Sequence, residues 1–148
     1  MIIDGEKEAE VLRNEIKKEI NLLKEKTKKV PALSVILIGN YAPSEIYVRN
    51  KVKKSKEVGI NSDIIRYPDN VSEKEVLKKI IELNEDSKVS GILVQLPIPK
   101  QINKEKIINL IHPSKDVDGF HPINVGNLAS GYHAITPCTP LGCSILIK

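Results

Sequence analysis

The stretch PSEIYVRNKVKKSKEVG carries the first group of residues able to do chemistry. Ser44, Tyr47 and Lys51 fall at i, i+3 and i+7, so a helix places them on one face. Val48 and Val52 occupy the neighbouring stripe, which must meet a core. A tyrosine and a lysine at the edge of a buried stripe make a proton-transfer pair. Arg49, Lys53, Lys54 and Lys56 crowd positive charge around that lysine. Like charge and partial burial are the two influences that bring an ammonium group towards neutrality, which a general acid or base needs. The competing reading is a solvated lysine beside an edge tyrosine, the commoner fate of both residue types on a helix.

Gln95 stands inside an otherwise apolar run, ILVQLP. A buried amide must find hydrogen-bond partners. It either ties down the loop that follows or orients a group in the crevice at the carboxyl end of a strand. Further on, KDVDGFHPINVG holds two carboxylates, Asp116 and Asp118, one residue apart. An extended backbone aims them in opposite directions, one towards a site and the other towards a loop or solvent. Gly119 allows a tight turn directly after them, and an ordinary Asp-Gly turn is the competing reading.

Other chemistries lack their residues. No two glycines are separated by a single residue, so the dinucleotide fingerprint G-x-G-x-x-G cannot occur, and no G-x-x-x-x-G-K-[ST] loop is present. There is no C-x-x-C and no H-E-x-x-H. His112, His121 and His133 are scattered, no metal is expected, and Cys138 and Cys143 read as small packed hydrophobes.

The elements that must hold these residues alternate. Residues 6–29 read as a helix, with Leu12, Ile16, Ile20 and Leu23 as its apolar stripe, stopped by Pro31. LSVILI, residues 33–38, reads as a buried strand, and residues 43–58 as the helix that carries Lys51, closed by Gly59. Residues 61–67 form a weaker strand. Ser72 with Glu75 signals a capping box that opens a helix burying Val76, Ile80 and Leu83, with Leu77 and Ile81. GILVQL, residues 91–96, is another buried strand. Helices alternating with short apolar strands predict a three-layer α/β domain with a short, mostly parallel sheet flanked by helices. From Pro97 onward lie six of the nine prolines, so this part reads as shaped loop with one short helix near 104–110. TPLGCSILIK opens a further amphipathic helix and reads as the start of a connection to more chain.

With 148 residues and 41% hydrophobic content, one ordinary domain with a real core is expected. The formal charge of +4 does not point to nucleic acid: only three of the basic residues are Arg, and aromatics are 3%. Most of the lysine is interleaved with glutamate, as on solvated helix faces. Two cysteines make no disulfide framework, and no signal peptide or membrane span is evident, so a cytoplasmic protein is expected.

Four segments then occur in a telling order: PSEIYVRNKVKKSKEVGI, GILVQLPIP, KDVDGFHPINVGNL and TPCTPLG. Together they resemble the signature segments of the bifunctional methylenetetrahydrofolate dehydrogenase/methenyltetrahydrofolate cyclohydrolase family, and the resemblance runs over essentially the whole chain. It implies an N-terminal folate-binding catalytic domain over residues 1–136 and the start of the interdomain connecting helix over 137–148. The family's C-terminal Rossmann domain, which binds NADP, is absent from this sequence, and the alternative reading is a truncated folate-binding module without turnover, its dehydrogenase activity lost with the cofactor domain.

By position the resemblance makes Lys51 the catalytic lysine, Tyr47 its neighbouring tyrosine and Gln95 the glutamine that contacts the lysine. It makes Asp118 the aspartate that holds the pterin. Ser44 is a further substrate-side helper, and Thr139 borders the NADP cleft unless it caps the helix that follows. The partners implied are tetrahydrofolate one-carbon derivatives, with no nucleic acid and no membrane. The family is homodimeric, largely through its cofactor domain, which leaves this chain monomeric by itself. A cis proline in QLPIP or PCTP would shape the site wall.

Overall fold

A computed structural model describes residues 3–147. Its centre is β1 (Ala32–Ile38), paired in parallel with β2 (Asn61–Tyr67) on one edge and with β3 (Gly91–Val94) on the other. The order β2-β1-β3 makes a small, wholly parallel sheet. Parallel neighbours need crossover connections, and helices supply them. Helix α2 (Ala42–Val58) links β1 to β2, and α3 (Glu73–Glu85) links β2 to β3.

Side-chain alternation along β1 sorts the core into two layers. Ile36 and Ile38 join Ile92 and Val94 on one face. Val76, Ile80 and Leu83 of α3 cover that face, together with Ile107 of α4 (Lys104–Leu110) and Ile111. Val35 and Leu37 point the other way with Leu93 and meet Val48 of α2. The helices that follow β1 and β3 therefore lie on opposite faces, which opens a crevice beyond the carboxyl ends of these two neighbouring strands. The three-layer α/β expectation holds.

The element ends follow local chemistry. Ser72 caps α3 by accepting from the Glu75 N–H at 3.2 Å. Asn103 caps α4 in the same way, accepting from Lys106 N at 3.0 Å. Gly59 closes α2 in the left-handed region, with φ of 96°.

Three expectations need correction. In α1 (Gly5–Thr27) only Ile20 of the apolar stripe is buried, and Leu12 and Leu23 are each 42% exposed. On α3, Ile81 is 44% exposed. On α3, Val76, Ile80 and Leu83 already fill the interface, whereas α1 meets its neighbours through little more than Ile20, and periodicity cannot say how wide a stripe the partner layer covers. The chain after Pro97 also holds α5 (Pro122–Ala129), read from sequence as loop because its glycine and asparagine weaken the helical pattern. The last helix, α6 (Cys138–Ile147), buries none of its residues.

The extended segment before α5 lies beside β3. Asp116 bridges in parallel to Ile92, and Val117 packs over Gly91. A Cβ at Gly91 would run into Val117 Cγ1. Gly91→Ala should therefore cost about 1–3 kcal/mol through overpacking. The check is the urea midpoint, and Val117→Ala in the same chain should recover most of the loss.

Candidate active site

One cleft of about 1130 Å³ collects most of the residues singled out by the sequence. Its walls include Tyr47, Lys51 and Lys54 of α2, Leu93 and Gln95 at the end of β3, and Asp118 and Phe120 beyond the Val117 segment. Arg13 and Ile16 of α1 and Pro137 to Pro140 at the start of α6 complete it.

Lys51 reaches this cleft because of its place on α2. At about 100° per residue it shares the inward stripe with Ser44, Val48, Ser55 and Val58. Valine side chains on that stripe stop at the packing surface, whereas the lysine stem carries its charge out to the open end. Lys51 Nζ donates to Gln95 Oε1 at 3.2 Å. Gln95 Nε2 donates to the Leu96 carbonyl at 2.8 Å, and its backbone N–H continues the β1–β3 ladder by donating to Ile36 O at 2.9 Å. With the amide NH₂ committed to a carbonyl, the amide oxygen is the atom left facing the lysine. Gln95 thus bonds the start of the following loop and lines the crevice at the end of β3. The Leu96–Pro97 peptide bond is cis.

Tyr47 flanks Lys51 on the helix and stands 64% exposed, so its ring forms an open wall of the cleft. Asp118 and Asp116 diverge as an extended backbone requires. Asp118 lines the cleft. Asp116 is buried at 3% exposure and accepts from Gly119 N, His121 N and Asn124 Nδ2 at 3.1, 2.8 and 2.9 Å. Burial raises the Asp118 pKa above the ordinary carboxylate value, Lys51 pulls it back down, and Asp116 pushes it further up.

Ser44 does not join this group. It is 3% exposed and absent from the cleft lining, because its short side chain on the inward stripe ends within the packed layer. Thr139 does line the cleft, exposed, and lies inside α6 rather than at its cap, since the helix begins at Cys138. Both cysteines are exposed, so neither packs as a core hydrophobe. His112 and His121 serve as local caps, accepting from Ser114 N and Ile123 N. Among the described residues no group of His, Cys, Asp and Glu is arranged to hold a metal ion. Sequence reasoning missed Arg13, Leu96 and Phe120 as cleft residues. Phe120, the only phenylalanine, follows the Asp-Gly turn directly and was the one legible signal among them.

A family model described as tetrahydrofolate dehydrogenase/cyclohydrolase, catalytic domain, matches residues 3–118. The bifunctional protein FolD of Pelagibacter ubique (strain HTCC1062) is 60% identical over 148 residues, which is 100% of this chain and 53% of that protein. The crystal structure of the bifunctional FolD methylenetetrahydrofolate dehydrogenase/cyclohydrolase from Campylobacter jejuni superposes with a TM-score of 0.96 at 43% identity, covering 100% of this chain and 52% of that one. The Trypanosoma brucei FolD, crystallised with NADP cofactor and an inhibitor, gives a TM-score of 0.90 at 35% identity over 94% of this chain and 48% of that one. The chain thus spans about half the length of the curated relatives it matches.

The raised Asp118 pKa has a definite sign for stability. The folded state holds this proton more tightly than the unfolded chain does, so stability falls as pH rises between the ordinary carboxylate value and the raised one. Asp118→Asn should therefore melt higher than the parent chain at neutral pH. The advantage should vanish below the ordinary carboxylate pKa, where both side chains are uncharged. Thermal denaturation across a pH series reads this directly, and a variant that melts lower at neutral pH would contradict it.

Proposed function

The chain belongs to the tetrahydrofolate dehydrogenase/cyclohydrolase family, as its catalytic domain, and from that membership we propose that its cleft binds one-carbon derivatives of tetrahydrofolate. The activity assigned is the family's place in one-carbon folate metabolism: interconversion of methylene-, methenyl- and formyltetrahydrofolate. The observation that carries this reading is the Lys51–Gln95 hydrogen bond of 3.2 Å in the same cleft as Asp118.

Each residue has a role its chemistry suits. The aminopyrimidinone edge of a pterin presents adjacent N–H donors, and the Asp118 carboxylate offers two acceptor oxygens to match them. Tyr47, an exposed wall of the cleft, supplies a ring on which the folate's aromatic part can stack. Lys51 and Gln95 face the one-carbon bridge. In the cyclohydrolase direction, water adds to the amidinium carbon and gives up a proton. One C–N bond then breaks, the departing nitrogen takes a proton, and one proton is released overall. Lys51 moves that proton and places the water. Gln95 accepts from the charged ammonium through Oε1, as in the structure, and turning its NH₂ inward would let it donate to the neutral amine.

Dehydrogenation transfers a hydride from the methylene carbon to NADP, and here the protein aligns two rings while the cofactor does the chemistry. The residues of this chain do not build a dinucleotide cradle. The turn after β1 reads GNYAP, with one glycine, and the turn after β3 reads QLPIP, with none. Thr139 is the one residue assigned to the NADP border, and no hydride step is derived from this chain alone. In domain terms, residues 1–136 are assigned to folate binding and 137–148 to the start of the connecting helix. The lack of buried residues on α6 supports that division. Among the described residues no helix is long and apolar enough to cross a membrane.

The test is hydrolysis of 5,10-methenyltetrahydrofolate by the 148-residue chain, followed as loss of its absorbance. Lys51→Met should lower the rate by about 10²-fold or more while leaving folate binding measurable. Binding without turnover in the parent chain would instead identify a gripping module. Equal rates for parent and variant would remove Lys51 from the mechanism.

A further inference from the structure

Asp116 is a buried carboxylate that does not line the cleft. It is surrounded by neutral donors, and among the described residues no cation lies within ion-pair distance. Burying a charge this way costs more than burying an amide. A turn alone does not require it, since Asp-Gly turns form at the surface without such a network.

The geometry shows what the charge holds. Asp116 Oδ1 accepts from Gly119 N, and Oδ2 accepts from His121 N and from Asn124 Nδ2. Two of these donors lie on the backbone just past Asp118, so the carboxylate of Asp116 bonds across Asp118 and closes the backbone around it. Asn124, buried on α5, also donates to Pro113 O at 2.9 Å and so ties the carboxylate to the single 3-10 turn Pro113–Lys115. An asparagine at 116 would turn an NH₂ towards one of the donors that now face oxygen. The turn has little room to relax. Gly119 sits at φ 69°, and a Cβ there would lie 2.6 Å from the Ile135 carbonyl. Val117 is pinned on Gly91.

We propose that Asp116, held by Asn124, is a positioning residue for folate recognition: it touches no substrate and sets the Asp118 carboxylate where the pterin edge must meet it. The inference rests on the reading of Asp118 as the pterin-holding group. The charge of Asp116 also favours protonation of Asp118, against the opposing pull of Lys51 across the cleft.

The experiment is a double-mutant cycle on the full 148-residue chain, with 5-formyltetrahydrofolate as the probe and affinity read by titration calorimetry well below the melting temperature. Asp116→Asn and Asp118→Asn should each weaken binding by about tenfold or more. In the Asp118→Asn background, Asp116→Asn should add no more than about twofold, because nothing remains for it to position. A residue that only stabilises the fold would lower the melting temperature and leave the affinity of the folded protein unchanged. Equal losses in both backgrounds, or parental affinity for Asp116→Asn, would overturn the proposal while leaving the folate site standing. Parental affinity for Asp118→Asn would overturn the site assignment and this proposal together. If Asp116→Asn does not fold, Asn124→Ala carries the same cycle, with a smaller loss expected that again disappears in the Asp118→Asn background.

Discussion

Everything in this domain hangs on β1, which among the described residues is the strand with a strand partner on each edge and an apolar layer on each face. Its seven residues, ALSVILI, alternate so that Val35 and Leu37 face α2 while Ile36 and Ile38 face α3 and α4. Both of its partners are parallel, so their connections must cross over, and the helices cover both faces of the sheet. The crevice beyond the carboxyl ends of β1 and β3 follows from that division and not from any residue in the crevice itself. The Gln95 N–H to Ile36 carbonyl bond extends the same ladder one residue beyond β3, so the amide facing Lys51 is anchored in the sheet.

The site is built from groups that work against stability. Lys51 occupies an inward position of α2 that an apolar residue would fill more cheaply. Asp118 sits where burial disfavours its charged form, and Asp116 is buried outright with neutral donors only. Such costs are ordinary where chemistry or recognition needs a fixed charge. They are met by an interior in which Val35, Ile36, Val48, Val76 and Ile80 are fully enclosed, each fully buried side chain contributing about 1.5–3 kcal/mol. The opposition between a rigid apolar sandwich and a charged rim explains why the chemistry-bearing residues all lie on α2, at the β3 end, or in the proline-rich segment.

Kinship and geometry support the same assignment from independent directions. The family match fixes the class of protein, and the cleft brings Tyr47, Lys51, Gln95 and Asp118 together from separate segments. The open surface of α6, with Leu141, Ile145 and Leu146 partly exposed, belongs to the same segment that walls the cleft at Pro137 to Pro140. The start of α6 therefore forms part of the cleft wall, while the rest of the helix lies in the open.

Local pattern alone determined most of the element types, α5 excepted. LSVILI and GILVQL read as buried strands between breakers, the second ending in the structure at Val94, and Ser72 and Gly59 mark helix ends, one by its hydroxyl and the other by its tolerance of a positive φ. The alternation of Asp116 and Asp118 announced that they would part company, because the period of an extended backbone is two. Spacing also put Lys51 and Tyr47 on adjoining faces of one helix. What spacing could not decide was depth. Ser44 shares the stripe of Lys51 yet ends inside the packed layer, and Leu12, Leu23 and Ile81 fit an apolar stripe yet lie in the open. Depth depends on how far the neighbouring layer extends, which is set by residues distant in sequence. For the same reason only the tertiary structure revealed that Asp116 closes the backbone around Asp118, that Val117 is locked over Gly91, and that Arg13 and Phe120 share a cleft with residues 38 and 25 positions away from them at Lys51 and Gln95. Helix and strand periods act over a few residues, and contact between segments is decided by the packing of the whole chain.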